Sequence, residues 1–362
     1  MHIHILAFLF FAPPFFACQQ DQEKALSAAA NISFQSVAAG PQRPEKARST
    51  AANIIFQSTD DGLTWEDVSV GLPQDLQAYC VFADGGKVML GSENGLYRST
   101  NPPMARTWEK EAFLDERVTN ILPGKAGPYI CSYGSGFFQE MPGTGVWKPM
   151  HTYLKDKTVL TVLETSDGIL FVGCDSGIFK SADGGATWKQ VFADGMVNSL
   201  VTADGVLIGG GARGLLRSTD GGEHWDSVLT EDGWTQKTEF IGGRFVAITR
   251  GIGTYKEVNE DPERMAARLR TSADGGKTWQ RMDANLASVR LTSNIDESLE
   301  PVWAINDIKQ SGDYLFCSLD TGIFRSNDQG KTWRFVFPSI KKRAFTLAVS
   351  GGVIYAVIGG GC

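Results

Sequence analysis

Ser272-Ala273-Asp274-Gly275-Gly276-Lys277-Thr278-Trp279 is one of five near-copies of a single pattern. The others are Ser58-Thr59-Asp60-Asp61-Gly62-Leu63-Thr64-Trp65, Ser181-Ala182-Asp183-Gly184-Gly185-Ala186-Thr187-Trp188, Ser218-Thr219-Asp220-Gly221-Gly222-Glu223-His224-Trp225 and Ser326-Asn327-Asp328-Gln329-Gly330-Lys331-Thr332-Trp333. Each has a physical reading as a self-pinned turn. A short aspartate side chain accepts backbone N–H bonds within its own turn, glycine supplies a positive φ, and the hydroxyls add local bonds. The tryptophan that follows is expected to open a strand, burying its ring between neighbouring sheets while its indole N–H finds an acceptor. Two degenerate copies fill the gaps. Ser99-Thr100-Asn101 is followed by an insertion before Thr107-Trp108, and the stretch around Gln139 keeps a glycine-rich turn before Trp147.

The seven tryptophans at 65, 108, 147, 188, 225, 279 and 333 recur every 37 to 54 residues, the length of a four-stranded propeller blade. Upstream of the turns the order repeats as apolar run, turn, apolar run, then glycine, aliphatic and aromatic. Gly95-Leu96-Tyr97, Gly177-Ile178-Phe179 and Gly322-Ile323-Phe324 are examples. The expected fold is therefore all-β, a single seven-bladed β-propeller of four-stranded antiparallel blades. The first turn, at Ser58, has one strand before it (Asn53–Gln57), whereas Ala344–Val349 and Val353–Ile358 have no turn after them. These halves complement each other in a closing blade with two strands from each terminus, so that no sheet edge stays open.

The repeated residues resemble the Asp-box, or BNR repeat, of sialidase-like and sortilin-like β-propellers and of photosystem II stability/assembly factor-like proteins, over about Asn53 to Gly361. On that resemblance Asp60, Trp65, Asp183, Trp188, Asp220, Trp225, Asp274, Trp279, Asp328 and Trp333 are structural. Recurrence of the box in nearly every blade is closest in style to the assembly-factor-like members.

Composition agrees with a folded β-protein. Of 362 residues 42% are hydrophobic and 21% charged, and 41 are glycine, which favours many tight turns. The 34 basic and 41 acidic side chains give a net charge of −7, which argues against nucleic acid as a partner. The apolar run Ile5–Ala17, broken by Pro13 and Pro14, is too short to span a bilayer. It reads as a signal peptide over 1–17, ending Phe15-Phe16-Ala17-Cys18, a lipobox-like site. Cys18 is the expected lipidation site, 18–50 a flexible tether, and 51–362 the propeller. The chain is then exported to the cell envelope and touches membrane only through its anchor. Cys80, Cys131, Cys174, Cys317 and Cys362 are widely spaced, without a Cys-x-x-Cys. No disulfide framework or metal site follows, and Cys131, Cys174 and Cys317 read as small buried hydrophobes.

Candidate binding residues come from aligning the repeats. Turns between the second and third strands of each blade fall on the upper face, opposite the aspartate turns, and place Glu93, Tyr133, Asp175, Arg213, Arg250 and Asp320 around the channel mouth. Two insertions on that face, about Ile252–Arg268 and Asp283–Pro301, add Tyr255 and Arg290. Long loops on a rigid scaffold tend to carry function. A sialidase would need an arginine triad, a Tyr/Glu nucleophile pair, an acid/base aspartate and an early Arg-Ile-Pro. Arg213, Arg250 and Arg290 with Tyr133 and Glu93 make a nominal set, but no Arg-Ile-Pro occurs. There is no Gly-x-Ser-x-Gly, His-Glu-x-x-His or P-loop, and His151 is the only histidine outside the leader and the repeats. The expectation is a non-catalytic, monomeric propeller lipoprotein without cofactor, a scaffold or assembly factor for a protein or glycan ligand. An exo-α-sialidase is the alternative.

Overall fold

Short apolar runs separated by glycine turns give strands throughout. The computed structural model describes residues 52–100, 107–150, 154, 156–231, 233–251, 267–283, 286 and 305–359, and among them there is no helix. Cys18, the expected leader and tether, Tyr255 and Arg290 lie outside the described residues.

Seven four-stranded antiparallel sheets form the propeller. The third blade shows the plan, with Val159–Glu164 innermost, then Leu170–Cys174, Gly177–Ser181 and Lys189–Phe192 outward. The inner strands of the first to seventh blades are Ala78–Asp84, Val118–Leu122, Val159–Glu164, Val197–Ala203, Trp234–Ile241, Ile305–Ser311 and Phe345–Ser350. Each packs against the next and the last against the first, closing the ring. The seventh blade is shared as the sequence implies, in the order Glu66–Asp67, Ile55–Ser58, Val353–Ile358, Phe345–Ser350. Ile55 pairs with Val357 and Ser58 with Ile354.

One expectation is corrected. In the five regular repeats the tryptophan stands one residue before the outer strand, which begins at Glu66, Lys189, Asp226, Gln280 or Arg334; only Trp108 and Trp147 lie within theirs. The reason is the indole, which folds back over its own turn. Its N–H donates to the carbonyl of Gly62, Gly185, Gly222, Gly276 or Gly330 at 3.1–3.2 Å. The rings still reach the preceding sheet: Trp65 stacks on Phe337 at 4.9 Å, and Trp188 meets Phe137 at 5.9 Å.

The core is correspondingly divided, with an apolar cluster in each gap between neighbouring blades. Burial of each large side chain there contributes about 1.5–3 kcal/mol. Cys80, Cys131, Cys174 and Cys317 are buried and free, and burial pushes the Cys80 thiol up to about 12.

Two sets of polar contacts bind blade to blade. Around the channel, Asn198 Nδ2 donates to the Gln236 carbonyl (2.8 Å), Gln236 Nε2 to Asn306 (3.4 Å), Asn306 Nδ2 to Phe345 (2.7 Å) and Thr346 Oγ1 to Tyr79 (3.5 Å). On the lower face, a basic residue just before the repeat serine reaches the next blade's turn. Lys180 donates to the Gly221 carbonyl (2.8 Å), Arg217 to Gly275 (2.7 Å) and Arg325 to Asp61 (2.6 Å). Both sets run in the same direction around the ring.

Candidate functional site

The lower face is occupied by its own chemistry. At Ser181–Trp188, Ser181 Oγ donates to Asp183 Oδ1 (2.8 Å) and accepts from the Gly185 N–H (2.8 Å); Asp183 accepts from the Thr187 N–H (2.8 Å) and hydroxyl (2.6 Å). The same bonds recur at Asp60, Asp274 and Asp328, and at Asp220 with His224 in place of threonine. Donation by the threonine hydroxyl, then by its backbone N–H, lowers the Asp60, Asp183 and Asp328 carboxyls to about 2. Asp220, with His224 as its first donor, and Asp274 are also lowered. An ionised acceptor strengthens each bond. These side chains are committed to the fold.

The upper face holds the turns between second and third strands and the connections between blades. Glu93 and Asp175 are exposed there, their backbone N–H groups tied to Gln77 (3.0 Å) and Thr158 (3.3 Å). Arg213 is exposed but paired with Asp194 of the loop behind it at 2.8 Å. Arg250 ends the strand Arg244–Arg250 with its side chain exposed. Asp320 is half-buried, and burial raises its carboxyl above the usual range. Its Oδ1 and the neighbouring Thr321 Oγ1 are enclosed and, among the described residues, have no hydrogen-bond partner.

Tyr133 belongs to a constellation the repeat alignment does not give. The exposed Arg117 guanidinium lies 5.0 Å from the centre of the Tyr79 ring and 5.8 Å from that of Tyr133. The Arg117 carbonyl accepts from the Tyr133 N–H at 3.0 Å, so the turn and the loop are pinned together. Tyr133 itself remains 63% exposed. Next to them the Glu116 carboxylate accepts from the Ser132 hydroxyl (3.4 Å) and from that of Ser135. Arg117 and Glu116 lie in the connection from first to second blade, which the loop sorting places on this face. That was the available signal. Tyr79 had none, because an aromatic in an inner strand reads as core.

Below the mouth, the channel wall is charged at one sector. Lys237 of the fifth blade meets Asp307 of the sixth at 2.5 Å and Glu239 at 3.5 Å, and Lys309 pairs with Glu239. Asp307 also accepts from the Leu347 N–H of the seventh blade at 2.8 Å. Burial opposes the Lys237 ammonium, but Asp307 and Glu239 outweigh it and hold the charge. The pairing is internally balanced and ties three blades together.

No family model matches the chain, and no curated protein matches it. Solved propellers do. An ancestral GH74 enzyme matches with a TM-score of 0.56 at 15% identity over 84% of this chain, which spans 45% of that protein's length. YCF48 bound to D1 peptide matches with a TM-score of 0.54 at 14% identity, over 80% of this chain and 95% of that one. A catalytically inactive virginiamycin B lyase from Staphylococcus aureus with quinupristin gives 0.57 at 12% identity, over 79% and 96%. The likeness is one of fold, and it spans enzymes and a peptide-bound protein alike.

Proposed function

We propose that the chain is a non-catalytic propeller of the Asp-box type, exported and held in the cell envelope through Cys18, whose upper face binds a partner as a scaffold or assembly factor. The observation that carries this reading is the exposed Arg117 guanidinium, held within cation–π reach of both Tyr79 and Tyr133. An exposed cation fixed by aromatic rings is built for contact. The committed lower face leaves the upper one for recognition, and YCF48, nearly all of whose length this chain matches in fold, is seen with a peptide bound. A protein partner fits this better than a glycan, because Ser132 and Ser135, which would read sugar hydroxyls, already bond Glu116.

One observation favours a second reading, a glycoside hydrolase of sialidase-like type. Asp320 has an unpartnered, enclosed Oδ1 and a raised carboxyl, which suits a general acid. A fluorogenic α-sialoside and a xyloglucan panel separate the two. The scaffold reading expects no turnover; turnover abolished by Asp320→Asn or Arg213→Ala would make the chain an enzyme.

A further inference from the structure

Arg117 differs from two other cations of the upper face, and from Arg250 in being held against aromatic rings. Arg213 is neutralised by Asp194 and Lys110 by Asp115 at 2.6 Å. Arg117 is exposed, and among the described residues no carboxylate pairs with it. Its immediate neighbour Glu116 is drawn away by two serine hydroxyls. A guanidinium held near aromatic rings keeps its fork of N–H donors, and an exposed one can offer that fork to a planar acid.

We propose that Tyr79, Arg117 and Tyr133 form a carboxylate-binding subsite for an acidic residue of a protein partner, a deepening that rests on the scaffold reading above. The ligand class follows from what surrounds the cation. Glu116 is its neighbour in the chain, and that charge disfavours a doubly charged phosphate more than a singly charged carboxylate. An acidic sugar would need hydroxyl-reading groups, and Ser132, Ser135 and Glu116 are already bonded to one another. What remains is one fixed cation and the exposed part of Tyr133, which suits an acidic side chain or terminal carboxylate flanked by apolar residues.

The test uses the full chain and a displayed library of random heptapeptides. Wild type is expected to enrich sequences carrying Asp or Glu, and Arg117→Gln to lose that enrichment. An enriched peptide should bind Arg117→Gln about tenfold more weakly in fluorescence polarisation, and replacing its acid by the amide should weaken wild-type binding to a similar extent. Because Arg117 is exposed, the variant should melt with wild type, so the loss cannot be read as unfolding. Equal binding by Arg117→Gln, or enrichment without acids, would overturn the subsite while leaving the scaffold reading intact. Displacement of the peptide by glucuronate, at concentrations where glutamate fails, would overturn the assignment to a protein ligand. Turnover of the glycoside panel would instead remove the reading on which the subsite rests.

Discussion

At Ser181–Trp188 the turn between the outer strands of the third blade is held by atoms drawn from its own eight residues. At the matching place in the second blade neither the serine nor the aspartate is present. Glu140 stands in the serine position, and its carboxylate is gripped from the first blade by Arg98 at 3.0 Å and Lys87 at 3.7 Å. The loop closes instead through the Met141 N–H donating to the Val146 carbonyl at 2.7 Å. Trp147 is buried, stacked on Phe113 at 5.3 Å, with no partner for its indole N–H among the described residues. Both turns join the same strands of the same kind of blade. The repeat is thus a locally sufficient solution rather than a necessary one: in the second blade, where it is missing, a backbone bond across the loop and the charge contact with the first blade hold the same connection.

The sharpest way to break this comparison is to ask what the repeat glycine does beyond its own turn. At Gly222, with φ +79, an added Cβ would lie 2.3 Å from Cε1 of the fully buried Phe171 in the preceding blade. At Gly184, with φ +70, it would meet open space. Gly222→Ala should therefore cost about 3 kcal/mol, backbone strain plus overpacking, and Gly184→Ala about 1 kcal/mol. Urea unfolding measures both; equal losses would mean that the repeat does not anchor blade to blade.

A middle-sized effect probes the second blade. Glu140→Ala should cost about 2 kcal/mol, because it releases the Arg98 and Lys87 contacts and leaves the half-buried Arg98 with Glu111 alone, at 2.6 Å. If thermal unfolding of that variant matched wild type, the charge contact would not be what replaces the missing repeat.

The smallest effect per turn is acid sensitivity. Carboxyls held at about 2 in the fold, against about 4 in the unfolded chain, bind fewer protons when folded. Their contribution is complete above about pH 4 and is lost as pH falls toward 2. Melting temperature measured between pH 5 and 2 should fall less steeply for Asp60→Asn than for wild type. An unchanged slope would show that the ionised form is not what the turn uses.

Why so much of the architecture was legible follows from the same turns. A motif whose partners lie within eight residues must write all of them into the sequence, so Asp60, Asp183, Asp220, Asp274 and Asp328 mark five of the seven blades directly, and the degenerate copies before Trp108 and Trp147 supply the other two. The shared blade was legible because strands were missing at one end and surplus at the other. The one-residue displacement of Trp65 and its equivalents was not, since it depends on the indole bonding backward to a glycine carbonyl. The basic residues before the repeat serines, Lys180, Arg217 and Arg325, stand in register in the sequence, but their acceptors are carbonyls a blade away. Glu93, Tyr133, Asp175, Arg213 and Asp320 do lie in upper-face turns, yet the cluster at Tyr133 comes from an inner strand and a non-repeating loop. Such convergence is purely tertiary.

The shared blade has a mechanical consequence. Ile55–Ser58 and Val353–Ile358 are antiparallel neighbours, with Ile55 opposite Val357 and the Ile358 N–H donating to the Ile54 carbonyl at 2.9 Å. Both directions of chain therefore leave the seam at the same upper end. Tension applied between them would not shear the rungs of that ladder together but peel them one after another, beginning at Ile54. The ring, held by an apolar cluster in each of its seven gaps, would open under modest force along that single seam.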